Sequence, residues 1–150
     1  MPSQSVRPEP YWIAAAGLVV ADQLSKYLVE QLSSPIVLPG VFIGEALNAN
    51  GFLGVDISNP VLIVCGLVIC AGILALLAFV AQRPPVRLGL WLLLGGALSN
   101  TLDRILHGGV VDIVSILDLS QFNLADVMIL LGALSLLCGI WWKDDRGYGG

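Results

Sequence analysis

The residues able to do chemistry are few, and they cluster. Asp112 in VVDIV and Asp126 in FNLAD are two carboxylates, each with an Asn or Arg motif close by in the chain. Two carboxylates brought together in a partly dry site cannot easily both ionise, so one keeps a proton while the other polarises a water. Such a pair hydrolyses by acid-base chemistry without a metal or a covalent nucleophile. That the two meet is an inference at this stage, since Asn123 and Asp126 also suit the N-cap and first-turn carboxylate of a helix. Rival chemistries have poorer material. HExxH and GxSxG are both absent, and His107 is the single histidine. Cys65, Cys70 and Cys138 sit in apolar runs without ligand spacing. No metal and no cofactor is expected.

Composition says what kind of elements must hold these groups. The chain has 150 residues, of which 57% are hydrophobic and 12% charged. Its mean hydropathy is +0.87, which makes the bilayer its solvent and leaves room for about four spans of roughly 20 residues with no separate soluble domain. Net charge is −4 with no basic patch, which disfavours nucleic acid as a partner. The expectation is an all-α membrane protein: four transmembrane helices with a small β-rich extracytoplasmic region between helices 1 and 2, and residues 1–150 forming one domain. The approximate spans are 11–32, 60–81, 88–106 and 126–142. Pro60 to Ala81 carries no charge, whereas the other three spans have polar ends or middles.

Five positive residues, Arg7, Arg83, Arg87, Lys143 and Arg146, fall on one side of these spans, which the positive-inside rule makes cytoplasmic. Both termini are then inside, and the two remaining connections face out. Tyr11, Trp12, Trp141 and Trp142 stand where interfacial aromatics belong. A cleavable signal peptide ending near AAAG is a weaker reading of the N-terminus, given that three further spans follow. The first outer connection, Ser33 to Asn59, mixes Pro and Gly with β-prone Ile36, Val37, Val41 and Phe42, and His107 to Asn123 is β-prone too.

Polar residues inside spans should face the bundle rather than lipid. Asp22, Lys26 and Glu30 recur every four residues, and Asp22 precedes Lys26 in the favourable order for an ion pair. Gly96, Asn100, Asp103 or Arg104, and His107 form a stripe on span three. Gly95 and Ser99 permit a close helix contact there. Asp103 with Arg104 is readable as a structural ion pair, and His107 as an exposed helix end.

With these pieces in hand, the chain resembles the lipoprotein signal peptidase (signal peptidase II) family over nearly its full length. The matching segments are DQLSK at Asp22 to Lys26, GGALSNTLDRILHGGVVDI at Gly95 to Ile113, and FNLAD at Phe122 to Asp126. The resemblance implies an aspartic dyad of Asp112 and Asp126, with Asp22, Lys26, Asn48, Asn100, Asp103, Arg104 and Asn123 binding substrate or supporting the dyad. It implies a membrane endopeptidase that cuts diacylglyceryl-modified prolipoproteins just before the lipidated Cys. It also implies a bacterial cytoplasmic (inner) membrane, membrane lipids as surroundings and a monomer. Two departures stand out. LNANGFLGV offers Asn48 or Asn50 in a shifted form of the family's Asn-x-Gly-x-x-Phe segment, with Asn48 the expected counterpart. Ser99 stands where the family usually has Gly. The readings from other classes are a small proton-coupled carrier using Asp22, Lys26, Asp103 and Asp112 as a relay, and a non-catalytic membrane assembly factor.

Overall fold

A computed structural model describes residues 10–49, 57–79, 83–117 and 120–141. Its order is α1 (Tyr11–Glu30), β1 (Ile36–Leu38), β2 (Val41–Asn48), α2 (Asn59–Phe79), α3 (Pro84–His107), β3 (Val110–Ile116), β4 (Ser120–Phe122) and α4 (Leu124–Trp141). Four helices stand where four apolar runs were read. Among the described residues, α2 alone is long and apolar enough by itself to cross a membrane, and α4 is apolar over a shorter stretch. Arg7, Asn50, Gly51, Phe52, Trp142, Lys143, Arg146 and the end of the second run lie outside the described residues.

The helix ends differ from the hydropathy reading for local reasons. α3 starts at Pro84 rather than Leu88, because prolines at the first helical positions lack only an N–H that would go unbonded there. It stops at His107, where Gly108 takes a left-handed φ of 79°. α1 ends at Glu30, two residues short of the expected limit.

The sheet corrects the expected location of the β structure. It is four-stranded and antiparallel in the order β1-β2-β3-β4, so the α1–α2 and α3–α4 connections supply two strands each. A lone β1-β2 hairpin would leave both edges unpaired, and β3 covers one of them. β2 pairs with β3 from Val41 opposite Ile116 to Asn48 opposite Val110. A bulge between Ile43 and Ala46 resets the register, so that Ala46 faces Asp112.

α3 is the hub against which the other helices pack. Its seam with α4 uses small residues seven apart on both partners, Gly89 and Gly96 on α3 against Ala125, Gly132 and Gly139 on α4. A Cβ at Gly89 would lie 2.7 Å from the Gly132 carbonyl oxygen, and one at Gly96 would lie 2.5 Å from that of Ala125. The backbones therefore touch, which small residues alone allow. α2 packs on another side of α3 through Cys70, Ile73, Leu90 and Leu94. Gly95 and Ser99 meet α1 as their spacing suggested.

The distribution of polarity is inverted relative to a water-soluble domain. The largest fully buried side chains are Met128, Asn123, Asp22, Asp103 and Ser99, while Val64, Val68, Leu74 and Phe79 of α2 are exposed. Polar groups occupy the middle and apolar groups the outside, which suits a lipid surround.

Candidate active site

The N-terminus of α4 sets one carboxylate by purely local means. Asn123 Oδ1 accepts a hydrogen bond from the Asp126 N–H at 3.0 Å, and Asp126 Oδ2 accepts one from the Asn123 N–H at 3.1 Å. This reciprocal cap satisfies helix-end donors and fixes the Asp126 rotamer. The second Asp126 oxygen, Oδ1, accepts from Asn100 Nδ2 at 3.0 Å, which ties α4 to α3.

The sheet presents the other carboxylate. Asp112 lies on the face of β3 opposite Ala46, and alternation along β2 puts Asn48 on that same face. Gly109 permits the approach, since a Cβ there would lie 2.8 Å from the Asn48 carbonyl oxygen. Asn123 Nδ2 donates to Asp112 Oδ1 at 3.0 Å and also lies 3.2 Å from the Val111 carbonyl oxygen and 3.3 Å from Asn100 Oδ1. One asparagine thus contacts both aspartates. The helix-cap reading of FNLAD holds, and the capping side chain is also the one that bonds to Asp112.

Burial separates the two carboxylates. Asp112 is 2% exposed, while Asp126 is half-buried. Burial, with the Asp126 charge as the second cause, pushes the Asp112 carboxyl up from 3.8 to about 6. Hydrogen bonds from Asn48 and Asn123 and the charge of Lys26 pull the other way. The Arg104 guanidinium acts electrostatically on Asp103 and Asp112.

A second polar cluster lies behind the pair. Lys26 Nζ stands 2.6 Å from Asp22 Oδ2 and 2.6 Å from Asp103 Oδ2, with all three side chains buried. Asp103 turns to α1 for its short ion pair while its charge also acts on Arg104, so the pair read between Asp103 and Arg104 is one part of a wider cluster. Neighbours in a helix sequence point about 100° apart and rarely share a contact. Glu30 is exposed at the end of α1 and keeps to the expected stripe: it lines a cavity of about 190 Å³ together with Lys26, Asp103, Glu45 and His107. Gln23, which the sequence reading passed over, donates to Asp103 Oδ1 at 2.7 Å and Ser99 Oγ at 3.0 Å. Its amide beside Asp22 and one turn before Lys26, in an expected membrane span, was the available signal. Ser99, read as a small packing residue, also donates to Asp22 Oδ2 at 2.7 Å. Asn50 lies outside the described residues, whereas Asn48 reaches Asp112. Among the described residues no group of three His, Cys, Asp or Glu is arranged to hold a metal ion.

A helical hub crowned by a small antiparallel sheet defines a fold class also seen in solved structures. Two, each described as a bacterial membrane enzyme, share the fold with TM-scores of 0.77. They are 21% and 24% identical to this chain, covering 94% and 90% of it and 93% and 94% of their own chains. The profile described as signal peptidase (SPase) II matches residues 14–142, and the chain belongs to that family. Relatives called lipoprotein signal peptidase include one from Moorella thermoacetica, 32% identical over 137 residues that span 86% of this chain and 90% of that protein. Another, from Trichormus variabilis, is 36% identical over 150 residues, spanning 92% and 93%.

Proposed function

We propose that this chain is an aspartic endopeptidase that removes the signal peptide from diacylglyceryl-modified prolipoproteins, cutting before the lipidated Cys. The observation that carries the mechanism is Asn123, whose side chain and backbone bond to both Asp112 and Asp126. Asp126 accepts an N–H donor on each oxygen, an arrangement suited to its carboxylate form. Asp112 is the buried partner that holds the proton. Asp126 takes a proton from water as the hydroxyl attacks the scissile carbonyl, and Asp112 gives its proton to the carbonyl oxygen. In the collapse of the tetrahedral intermediate Asp126 passes its proton to the leaving nitrogen while Asp112 takes one back from a gem-diol hydroxyl, yielding the signal-peptide carboxylic acid and the amine of the lipidated Cys and restoring the singly protonated dyad. Asn100 and Asn123 keep the two carboxylates oriented. Asn48 and Arg104 border Asp112, where the substrate backbone would lie.

All four helices span the bacterial cytoplasmic membrane in this reading, as one domain. Arg83 and Arg87 lie on the cytoplasmic side and the sheet on the outer side. α1 and α3 turn Asp22, Lys26 and Asp103 inward, against each other, so lipid meets mainly apolar surface. The acyl chains of the substrate stay in the bilayer while the bond to be cut reaches the boundary between helices and sheet. The chain acts as a monomer. The test is a gel-shift assay in detergent or lipid with a diacylglyceryl-modified prolipoprotein. Native protein is expected to cleave and folded Asp112→Asn and Asp126→Asn to be inert; cleavage by either variant would overturn the assignment.

A further inference from the structure

The buried cluster behind the dyad has an arrangement that ion-pair formation alone does not require. Asp103 Oδ2, besides pairing with Lys26, accepts the backbone N–H of Val111 at 3.1 Å. Asp22, besides pairing with Lys26, accepts the backbone N–H of Ala125 on Oδ1 at 3.0 Å. Val111 directly precedes Asp112 and Ala125 directly precedes Asp126. The same ammonium thus holds two carboxylates, and each of these grips the backbone one residue ahead of a dyad aspartate.

We propose that Lys26 is a positioning residue for the reaction: through Asp22 and Asp103 it sets the separation of the Asp112 and Asp126 carboxyl groups. The inference rests on the dyad reading above. Val111 is held in the β3 ladder opposite Leu47 and Ala125 in the first turn of α4, so their φ and ψ are restrained and a displacement of either backbone nitrogen carries over to the aspartate that follows. Asp112 comes from the sheet and Asp126 from a helix end. The Asn123 bridge joins them on one side, and the Lys26 clamp closes the frame from behind. Removing the ammonium leaves two buried carboxylates that repel each other, which spreads the two arms.

The charge of Lys26 also acts on Asp112 directly, drawing its carboxyl down. The other charged groups around Asp112 are Arg104 of α3 and Asp126 of α4, while β2 contributes the neutral Asn48. Geometry and electrostatics therefore separate experimentally. Lys26→Gln removes charge and reach together, whereas Lys26→Arg keeps the charge and changes the reach.

The experiment uses the full chain in detergent micelles, with folded fractions isolated by size exclusion and a diacylglyceryl-modified prolipoprotein as substrate. kcat, KM and the pH profile are measured for native, Lys26→Gln and Lys26→Arg proteins. Lys26→Gln should lose kcat by about 100-fold, as a misplacement of about 1 Å does, with KM nearly unchanged. Its Asp112 limb should move to higher pH. Lys26→Arg should lose kcat by about 10-fold with the limb at its native position, because the charge is retained. A purely structural lysine would lower the yield of folded protein and leave kcat and the pH limb of that fraction native, and this result overturns the proposal. If Lys26→Gln does not fold, Lys26→Arg decides alone: reduced kcat at unchanged KM supports the clamp, and native kcat overturns it. An inert native protein would instead defeat the dyad reading.

Discussion

Replacing Asp112 by Asn should make the protein inactive and more stable, with the gain confined to the higher part of the pH range. Asp112 is 2% exposed, and its carboxyl rises from 3.8 to about 6 on folding, chiefly through burial and then through the Asp126 charge. A folded-state pKa above the unfolded value means that the native state binds the proton more tightly. The favourable contribution of protonated Asp112 is therefore complete below the unfolded value. It is lost as pH rises through the folded one. At about 1.4 kcal/mol per unit, a rise of roughly two units costs the native protein about 3 kcal/mol near neutrality. Asn has nearly the same shape and an acceptor oxygen for Asn123 and Asn48, but it never ionises, so it avoids that cost. Unfolding of both proteins in the same micelles should give nearly equal stability near pH 4 and an advantage of at most about 3 kcal/mol for Asp112→Asn near pH 8. A gap that is absent at pH 8, or independent of pH, would refute the account of Asp112 as a buried, proton-holding group. Asp22→Asn should be destabilising, because it leaves Lys26 with half of its buried partners.

Gly132→Val should cost several kcal/mol or prevent folding, since its Cβ would lie 2.8 Å from the Gly89 carbonyl oxygen in a seam where backbone meets backbone. Thermal unfolding of the purified variant checks this, and a Tm equal to native would show that the seam can open without cost. With Asp112 as the proton donor, kcat/KM of the native enzyme should fall as pH rises through about 6. In Asn48→Ala that limb should move to higher pH, because Asn48 donates to Asp112 and lowers its pKa; a limb that moves downward would contradict the sign.

Much of the site was legible because its parts are unusual residues in an apolar chain. Asp22, Lys26, Asn100, Asp103, Asp112, Asn123 and Asp126 stand out against their neighbours, and helical spacing put Asp22 beside Lys26, where they are found. The same spacing put Glu30 on the Lys26 side of α1, where both line one cavity, but periodicity does not tell where that face leaves the buried cluster. Hydropathy located four helices and placed the start of α3 four residues late. A polar first turn with two prolines is helical without being apolar. The β-prone character of both outer connections was readable in the chain. Their union in one sheet was not, because strand pairing joins residues as distant as Val41 and Ile116.

What the sequence by itself determined is the chemical inventory and its local frame: two aspartates in VVDIV and FNLAD, the asparagines beside them, and the Asn123 cap. These follow from side-chain type and spacing within one element. Only the tertiary structure decided that Lys26 divides its charge between Asp22 and Asp103. It also decided that those carboxylates grip the backbone just before Asp112 and Asp126. Lys26 and Asp103 lie 77 residues apart, and a backbone N–H is the same at every non-proline position. No residue type marks such a contact, and close packing of α1, α3, β3 and the start of α4 is what selects it.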